Sequence, residues 1–181
     1  SVGSMAFFYA SDLTNVYALG VNPPSSSSSN FLGCTPTVYV RPSALSNWEQ
    51  STDWSGMDIY ETMTVDFRGE NATYCSPFAI KITAKKAPKV YAVTGVDEKK
   101  ECVILNDLNG VIPANTGVLI RENKQPEYDA QIAEDQSVKA EGNRMVGVLV
   151  TTKIKSGDEI HKNFVLNDNK FDNVTTATDV Y

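Results

Sequence analysis

Apolar positions fall into more than one rhythm along this chain, and each rhythm predicts a different kind of element. Over residues 1–21 they are irregular, with Val2, Ala6, Phe7, Leu13 and Val16 separated by small polar residues. Asn22-Pro23-Pro24 and the serine run Ser25 to Ser29 follow. A Pro-Pro corner and a serine tract have nothing to bury, so the spacing predicts an exposed connecting loop. Thr37-Val38-Tyr39-Val40 is a β-branched and aromatic run and reads as a strand. Pro42 and Ser43 then open a short helix with Ser43 at its N-cap, and Leu45 and Trp48 share one helical face. That helix is expected to end by Ser51-Thr52-Asp53, after which Trp54 and Met57 act as apolar plugs.

From Glu61 onward the rhythm changes to period two. Met63, Val65 and Phe67 alternate with Thr62, Thr64 and Asp66, which gives a strand one apolar face. Phe78, Ile80 and Ile82 alternate in the same way, as do Tyr128, Ala130 and Ile132. Shorter, more continuously apolar strands are expected at Val90–Val93, Cys102–Leu105, Val118–Ile120, Val146–Val150 and Phe164–Leu166. Turn chemistry punctuates them at Asn109-Gly110, Asn115-Thr116-Gly117, Ser156-Gly157-Asp158 and Asn167-Asp168-Asn169. In the segment Pro113 to Gly117, Pro113 fixes one backbone angle while Asn115 and Gly117 tolerate positive φ, giving a sharp lead into the strand at Val118. Many short strands with turn signals predict an antiparallel sandwich or barrel, placed at residues 61–181. Residues 1–60 form a separate front part.

Composition adds constraints. Of 181 residues, 41% are hydrophobic and 21% charged, values of a chain that buries a core. The formal net charge of -6 argues against a nucleic-acid partner, because phosphate binding concentrates Lys and Arg on one face. The longest basic cluster, Lys85-Lys86 with Lys89 nearby, reads as a solvated loop. No apolar run reaches the roughly 20 residues of a transmembrane helix. Nor does the chain open on a secretory signal, so any export signal is expected upstream or removed. The three cysteines, Cys34, Cys75 and Cys102, stand in no Cys-x-x-Cys pair, and they read as small buried hydrophobes ahead of a single disulfide.

The front part resembles a known family. Gly3, Ala6, Phe7, Leu13, Thr14 and Val16 match the pattern of the BspA-type leucine-rich repeat, in which a Gly-x-x-Ala-Phe turn precedes a Leu-Thr-x-Val strand. Val38-Tyr39-Val40 with Ser43, Leu45, Trp48 and Trp54 is similar to the element that closes such solenoids. The remainder resembles a β-rich module recurring at the ends of secreted and surface proteins of Bacteroides-like bacteria. The matching segments are Asn71–Ile80, Lys89–Asp97, Val111–Ile120 and Asn163–Leu166 with Phe171. The resemblance implies a terminal leucine-rich-repeat turn with a strand-helix cap over 1–60, followed by an antiparallel β-sandwich-like domain over 61–181. It implies the carboxy-terminal part of a longer solenoid protein, extracellular or at the cell surface. An exposed solenoid edge near Val2, Phe7 and Leu13 implies self-association.

Candidate chemistry is sparse. His161, the only histidine, sits in the turn-like context Gly157-Asp158-Glu159 and reads as a loop residue ahead of a general base. No Gly-x-Ser-x-Gly elbow or phosphate-cradling loop appears. Asp97 with Glu98, Asp107, Asp158 with Glu159, and Asp168 with Asp172 lack the ligand spacing of a calcium loop and read as turn-forming and solubilising groups. Trp48 and Trp54 offer a sugar-stacking platform, but their match to the cap positions favours burial. Asn71-Ala-Thr and Asn173-Val-Thr match the N-glycosylation triplet, a pattern common by chance. The resulting expectation is a non-catalytic secreted or surface adhesion protein with no cofactor, metal or catalytic residue. Its solenoid would recognise a host or microbial surface macromolecule, and its β-domain would serve as a spacer. The alternative is a carbohydrate-binding accessory region of a polysaccharide-utilising system.

Overall fold

A computed structural model describes residues 1–27, 29–150, 152–155, 157, 164–167, 170–174 and 178–180. The architecture is mainly β. By internal contacts the chain divides into a first unit, Ser1–Met63 with Asp129–Glu134, and a second, Thr64–Tyr128 with Asp135–Tyr181.

The first unit is built on three consecutive parallel strands, β1 (Asn15–Ala18), β2 (Thr37–Val40) and β3 (Ile59–Tyr60), hydrogen-bonded in that order. Asn15 lies opposite Thr37 and Val38 opposite Ile59, so the chain returns to the sheet after 22 and then 21 residues. The second return runs through a 3-10 turn (Pro42–Ala44), a five-residue helix α1 (Leu45–Glu49) and another 3-10 turn (Thr52–Trp54). Period two decides which side chains turn inward. Val16, Ala18, Val38, Val40 and Ile59 join Phe31, Ala44, Trp48 and Trp54 in one apolar interior, with Val2, Phe7, Leu13 and Met57 packed at its margin. Phe31 lies 5.3 Å from Trp54 between ring centroids, and Trp54 lies 4.9 Å from Trp48 in an edge-to-face contact.

Two four-stranded sheets carry most of the remaining chain. Their strands are β4 (Thr62–Asp66), β5 (Ala72–Tyr74), β6 (Ile80–Ile82), β7 (Lys89–Asp97), β8 (Cys102–Asp107), β9 (Val111–Ile112), β10 (Val118–Arg121) and β11 (Glu127–Ile132). One sheet has the order β5-β10-β7-β8 and is antiparallel throughout; the other has the order β4-β11-β6-β9. Two antiparallel pairs follow, β12 (Thr152–Ile154) with β15 (Thr178–Val180), and β13 (Phe164–Asn167) with β14 (Lys170–Asn173). Antiparallel sheets of this kind fit a sandwich-like domain. The alternations place Met63, Val65, Tyr128, Ala130 and Ile132 inside. Within the second unit, Phe67 packs edge-on to Tyr74 at 5.0 Å and beside Tyr128 at 5.8 Å. No helix among the described residues is long and apolar enough to cross a membrane.

Several local expectations change. Val146–Val150 is not a strand: Val146 makes one isolated bridge to Thr116, and its side chain is 84% exposed. At Gly147 there is no room for a side chain, since a Cβ there would run into Cys75 Sγ, the Gly117 nitrogen and the Asn115 carbonyl. Gly117 is required for that close approach and not for positive φ; a Cβ there would lie 2.8 Å from the Val146 oxygen. Asn115 does adopt positive φ, at 53°. Asn109 and Gly110 adopt φ of 52° and 76° in a tight turn closed by the Val111 N–H donating to the Leu108 carbonyl. The alternation predicted from Phe78 begins only at Ile80, since Ala79 and Ile80 are both buried. The predicted turn residues Ser156, Asp158, Asp168 and Asn169 lie outside the described residues.

Ser43 does not cap α1. Its backbone N–H and hydroxyl both donate to the Glu134 carboxylate, at 2.7 and 2.6 Å, and the preceding Pro42–Ala44 turn starts the helical segment without a side-chain cap. The serine loop is also less free than its composition predicts. Ser26 donates its N–H to the Asp53 carboxylate at 3.0 Å, and the Ser25 carbonyl accepts from the Val2 N–H at 2.9 Å.

Candidate recognition surface

The face of the parallel sheet opposite the core carries three tyrosines in register, Tyr17, Tyr39 and Tyr60. The reason is the strand period: with Val16, Val38 and Ile59 committed to the interior, the next residue on each strand turns outward. Tyr17 is 42% and Tyr60 52% exposed, with Tyr39 half-buried between them. Tyr17 and Tyr39 form a closed stack, 5.4 Å between centroids and 17° between planes. Tyr39 and Tyr60 are splayed, 6.5 Å apart and tilted by 38°. Burial, and secondarily the proximity of Tyr39, raises the Tyr17 phenol above its ordinary value. Asn15 lies opposite Thr37 in the register before them, and Asp58, just ahead of β3, accepts the Val38 N–H on its carbonyl at 2.8 Å.

The charge of this part of the chain is one-sided. Residues 1–63 hold Asp12, Glu49, Asp53, Asp58 and Glu61 against a single cation, Arg41. Arg41 is engaged within the first unit, where its Nη1 donates to the Glu134 carbonyl at 3.2 Å. The hydrogen bonds from Ser43, helped by Arg41, lower the pKa of Glu134 despite the opposing effect of partial burial.

Behind the sheet, polar groups fix the loops. The Trp54 indole N–H donates to the Pro24 carbonyl at 2.8 Å, and that of Trp48 to the Gly20 carbonyl at 3.2 Å. Both rings are buried, at 3% and 2% exposure, so neither offers a face to a sugar. Fully buried Asn30 donates to the Ser26 hydroxyl at 2.9 Å, and its backbone carbonyl accepts from the Phe7 N–H at 3.0 Å. A hollow of about 790 Å³ opens among these loops, bordered by Phe31, Leu32, Cys34, Asp53 and Met57. In the second unit a smaller one of about 360 Å³ is bordered by Asp66, Phe67, Arg68, Asn71 and Leu166.

The acidic residues weighed from sequence are scattered. Asp97 accepts the N–H groups of Lys99 and Lys100 and lies 3.5 Å from the Lys100 ammonium, and Asp107 accepts the Asn109 N–H at 2.8 Å. These are turn-forming contacts. Asp172 stands on β14 opposite Val165. His161, Asp158, Glu159 and Asp168 lie outside the described residues. Among the described residues no three His, Cys, Asp or Glu side chains converge as metal ligands. The cysteines are free; Cys34 and Cys75 are half-buried, but Cys102, at the start of β8, an edge strand of its sheet that buries none of its side chains fully, is exposed, contrary to the buried reading. Val2, Phe7 and Leu13 pack against the first unit's own interior, and the exposed apolar groups of that end are Met5, Phe8 and Tyr9.

Sequence reasoning missed the tyrosine row, although a signal was there. The triplets Asn15-Val16-Tyr17, Thr37-Val38-Tyr39 and Asp58-Ile59-Tyr60 repeat one motif, polar then β-branched then tyrosine, at the interval of the sheet. No family model matches the chain, and no curated protein or solved structure matches it.

Proposed function

We propose that the protein is a non-catalytic, secreted or cell-surface binding protein. In this reading the first unit is the closing end of a BspA-like leucine-rich-repeat solenoid that recognises a host or microbial surface macromolecule. The antiparallel β-domain is a spacer that presents it. The observation that carries the reading is the row of exposed, in-register tyrosines on consecutive parallel strands. Returns of 22 and 21 residues agree with the roughly 20–29 residue period of leucine-rich repeats, and each turn buries its apolar residues against the next. Tyrosine supplies large contact area with few rotatable bonds, which suits it to recognition.

A second reading, a carbohydrate-binding accessory region, is favoured by the same exposed rings, since a phenol face can stack on a pyranose. A pull-down from surface-protein extracts, run beside a glycan array with the full chain and with Tyr60→Ala, separates the two. Capture of a protein that is lost in the variant supports adhesion. Sugar binding at millimolar affinity or better, lost in the variant, supports the second reading. Tyr60→Ala leaving every bound partner in place removes the tyrosine face from the function.

A further inference from the structure

We infer that the tyrosine face takes an arginine side chain from an extended segment of a partner protein, docked between Tyr39 and Tyr60 with its guanidinium held by Asp58. This deepens the binding reading above and rests on it. The first support is ring geometry. Tyr17 and Tyr39 close on one another at 5.4 Å and 17°, whereas Tyr39 and Tyr60 open to 6.5 Å and 38°. The splayed pair leaves ring surface accessible beside the 52% exposed Tyr60. A cation is attracted to a tyrosine face within about 6 Å of the ring centroid, a distance that a planar group lodged against this pair can satisfy for both rings.

The second support is charge. Asp58 lies two residues before Tyr60, just ahead of β3, and its carbonyl accepts the Val38 N–H at 2.8 Å, so extending the strand alternation by one residue puts it on the tyrosine side, about 7 Å from Tyr60 along the chain. A guanidinium stacked on Tyr60 therefore lies within reach of a carboxylate that accepts two parallel N–H bonds. Lysine has neither the flat fork nor the weak hydration that makes stacking favourable. The third support is the charge balance of this part of the chain. Residues 1–63 carry five carboxylates and one guanidinium, which already donates to Glu134. A net negative balance favours a cationic segment over an acidic one. Strand-like alternation in the ligand would place every second side chain toward the tyrosine row.

The test uses the full chain and three fluorescein-labelled peptides, acetyl-Ser-Arg-Ser-Arg-Ser-Gly-amide and its citrulline and lysine counterparts, read by anisotropy. Citrulline keeps the shape of arginine and removes the charge. The arginine peptide is expected to bind, the lysine peptide more weakly, and the citrulline peptide about tenfold or more weakly. Tyr60→Ala and Asp58→Asn, both at exposed positions, should each weaken the arginine peptide about tenfold. Asp107→Asn removes the same charge on β8 and should leave binding unchanged. Equal affinity for arginine and citrulline peptides, an Asp58→Asn loss no larger than that of Asp107→Asn, or no arginine-peptide binding at millimolar concentration would each overturn the inference. If it fails while Tyr60→Ala still abolishes capture in the pull-down or array, the recognition surface survives with another ligand. If Tyr60→Ala changes nothing in any assay, both fall together.

Discussion

Trp54→Phe probes the interior on which the tyrosine face rests. Trp54 is 3% exposed, touches Phe31 and Trp48, and donates its indole N–H to the Pro24 carbonyl at 2.8 Å. Phenylalanine keeps a ring against Phe31 but removes the donor and part of the volume. An orphaned acceptor in a half-buried setting costs about 1–2 kcal/mol. A void of about 40 Å³, at about 24 cal/mol per Å³, adds about 1 kcal/mol. The sum, about 2–3 kcal/mol, is a large share of a domain's stability. Urea unfolding with both far-ultraviolet circular dichroism and tryptophan fluorescence measures it, and an unchanged slope confirms that the midpoint shift is a stability change. Trp48→Phe, whose N–H bond to Gly20 is longer at 3.2 Å, should cost less. A Trp54→Phe loss below about 0.5 kcal/mol, within the range of an ordinary surface change, would refute the placement of this indole in a dry interior.

Two further outcomes follow from the geometry. Gly147→Ala and Gly117→Ala should each destabilise by about 1–3 kcal/mol, as overpacking does. Adding Cys75→Ala should recover part of the Gly147→Ala loss, since Cys75 Sγ is its nearest obstruction, and none of the Gly117→Ala loss, whose neighbours are backbone. A thermal-melt double-mutant cycle reads this directly. Glu134 has a lowered pKa in the folded chain, so its contribution is present above the ordinary carboxylate value and fades as pH falls through the folded one. Glu134→Gln should therefore lower the urea midpoint at pH 7 by an amount worth about 1 kcal/mol or less, given the group's exposure, and by less at pH 3. An equal loss at both pH values would contradict the carboxylate's role.

What could be read from sequence is what local period and composition determine. The strands at Thr37–Val40 and Glu127–Ile132, the buried Trp48 and Trp54, and the Asn109-Gly110 turn follow from alternation, aromatic size and positive-φ tolerance. What escaped depends on partners distant in the chain. Ser43 looks like an N-cap because Pro42 precedes a helix, yet the group that takes its hydroxyl is Glu134, 91 residues away. Val146–Val150 has strand composition, but composition does not supply a neighbouring strand with free ladder positions. The serine tract reads as loose, while Asn30 and Asp53 hold it through contacts that no rule on serine runs contains.

The tyrosine row was hidden for a different reason. Apolar positions define the core and the residues between them read as surface, so Tyr39 counted only as strand-forming and Tyr17 and Tyr60 carried no expectation. Yet the two sets are fixed by one constraint. A one-residue slip of β2 would send Val38 and Val40, both fully buried, to the surface and drive Tyr39 into the interior of the first unit. Burial of the β-branched residue in each triplet therefore selects the face on which the tyrosine stands. Backbone pairing between consecutive strands then brings the three rings to the same level. The polar residue that opens each triplet is held outward by the same alternation, and it varies from Asn15 to Thr37 to Asp58 while the middle position stays β-branched. The repeated unit thus separates two tasks: a β-branched middle residue sets the register, and the outward positions, a constant tyrosine and a variable polar residue, define what the surface offers to a partner.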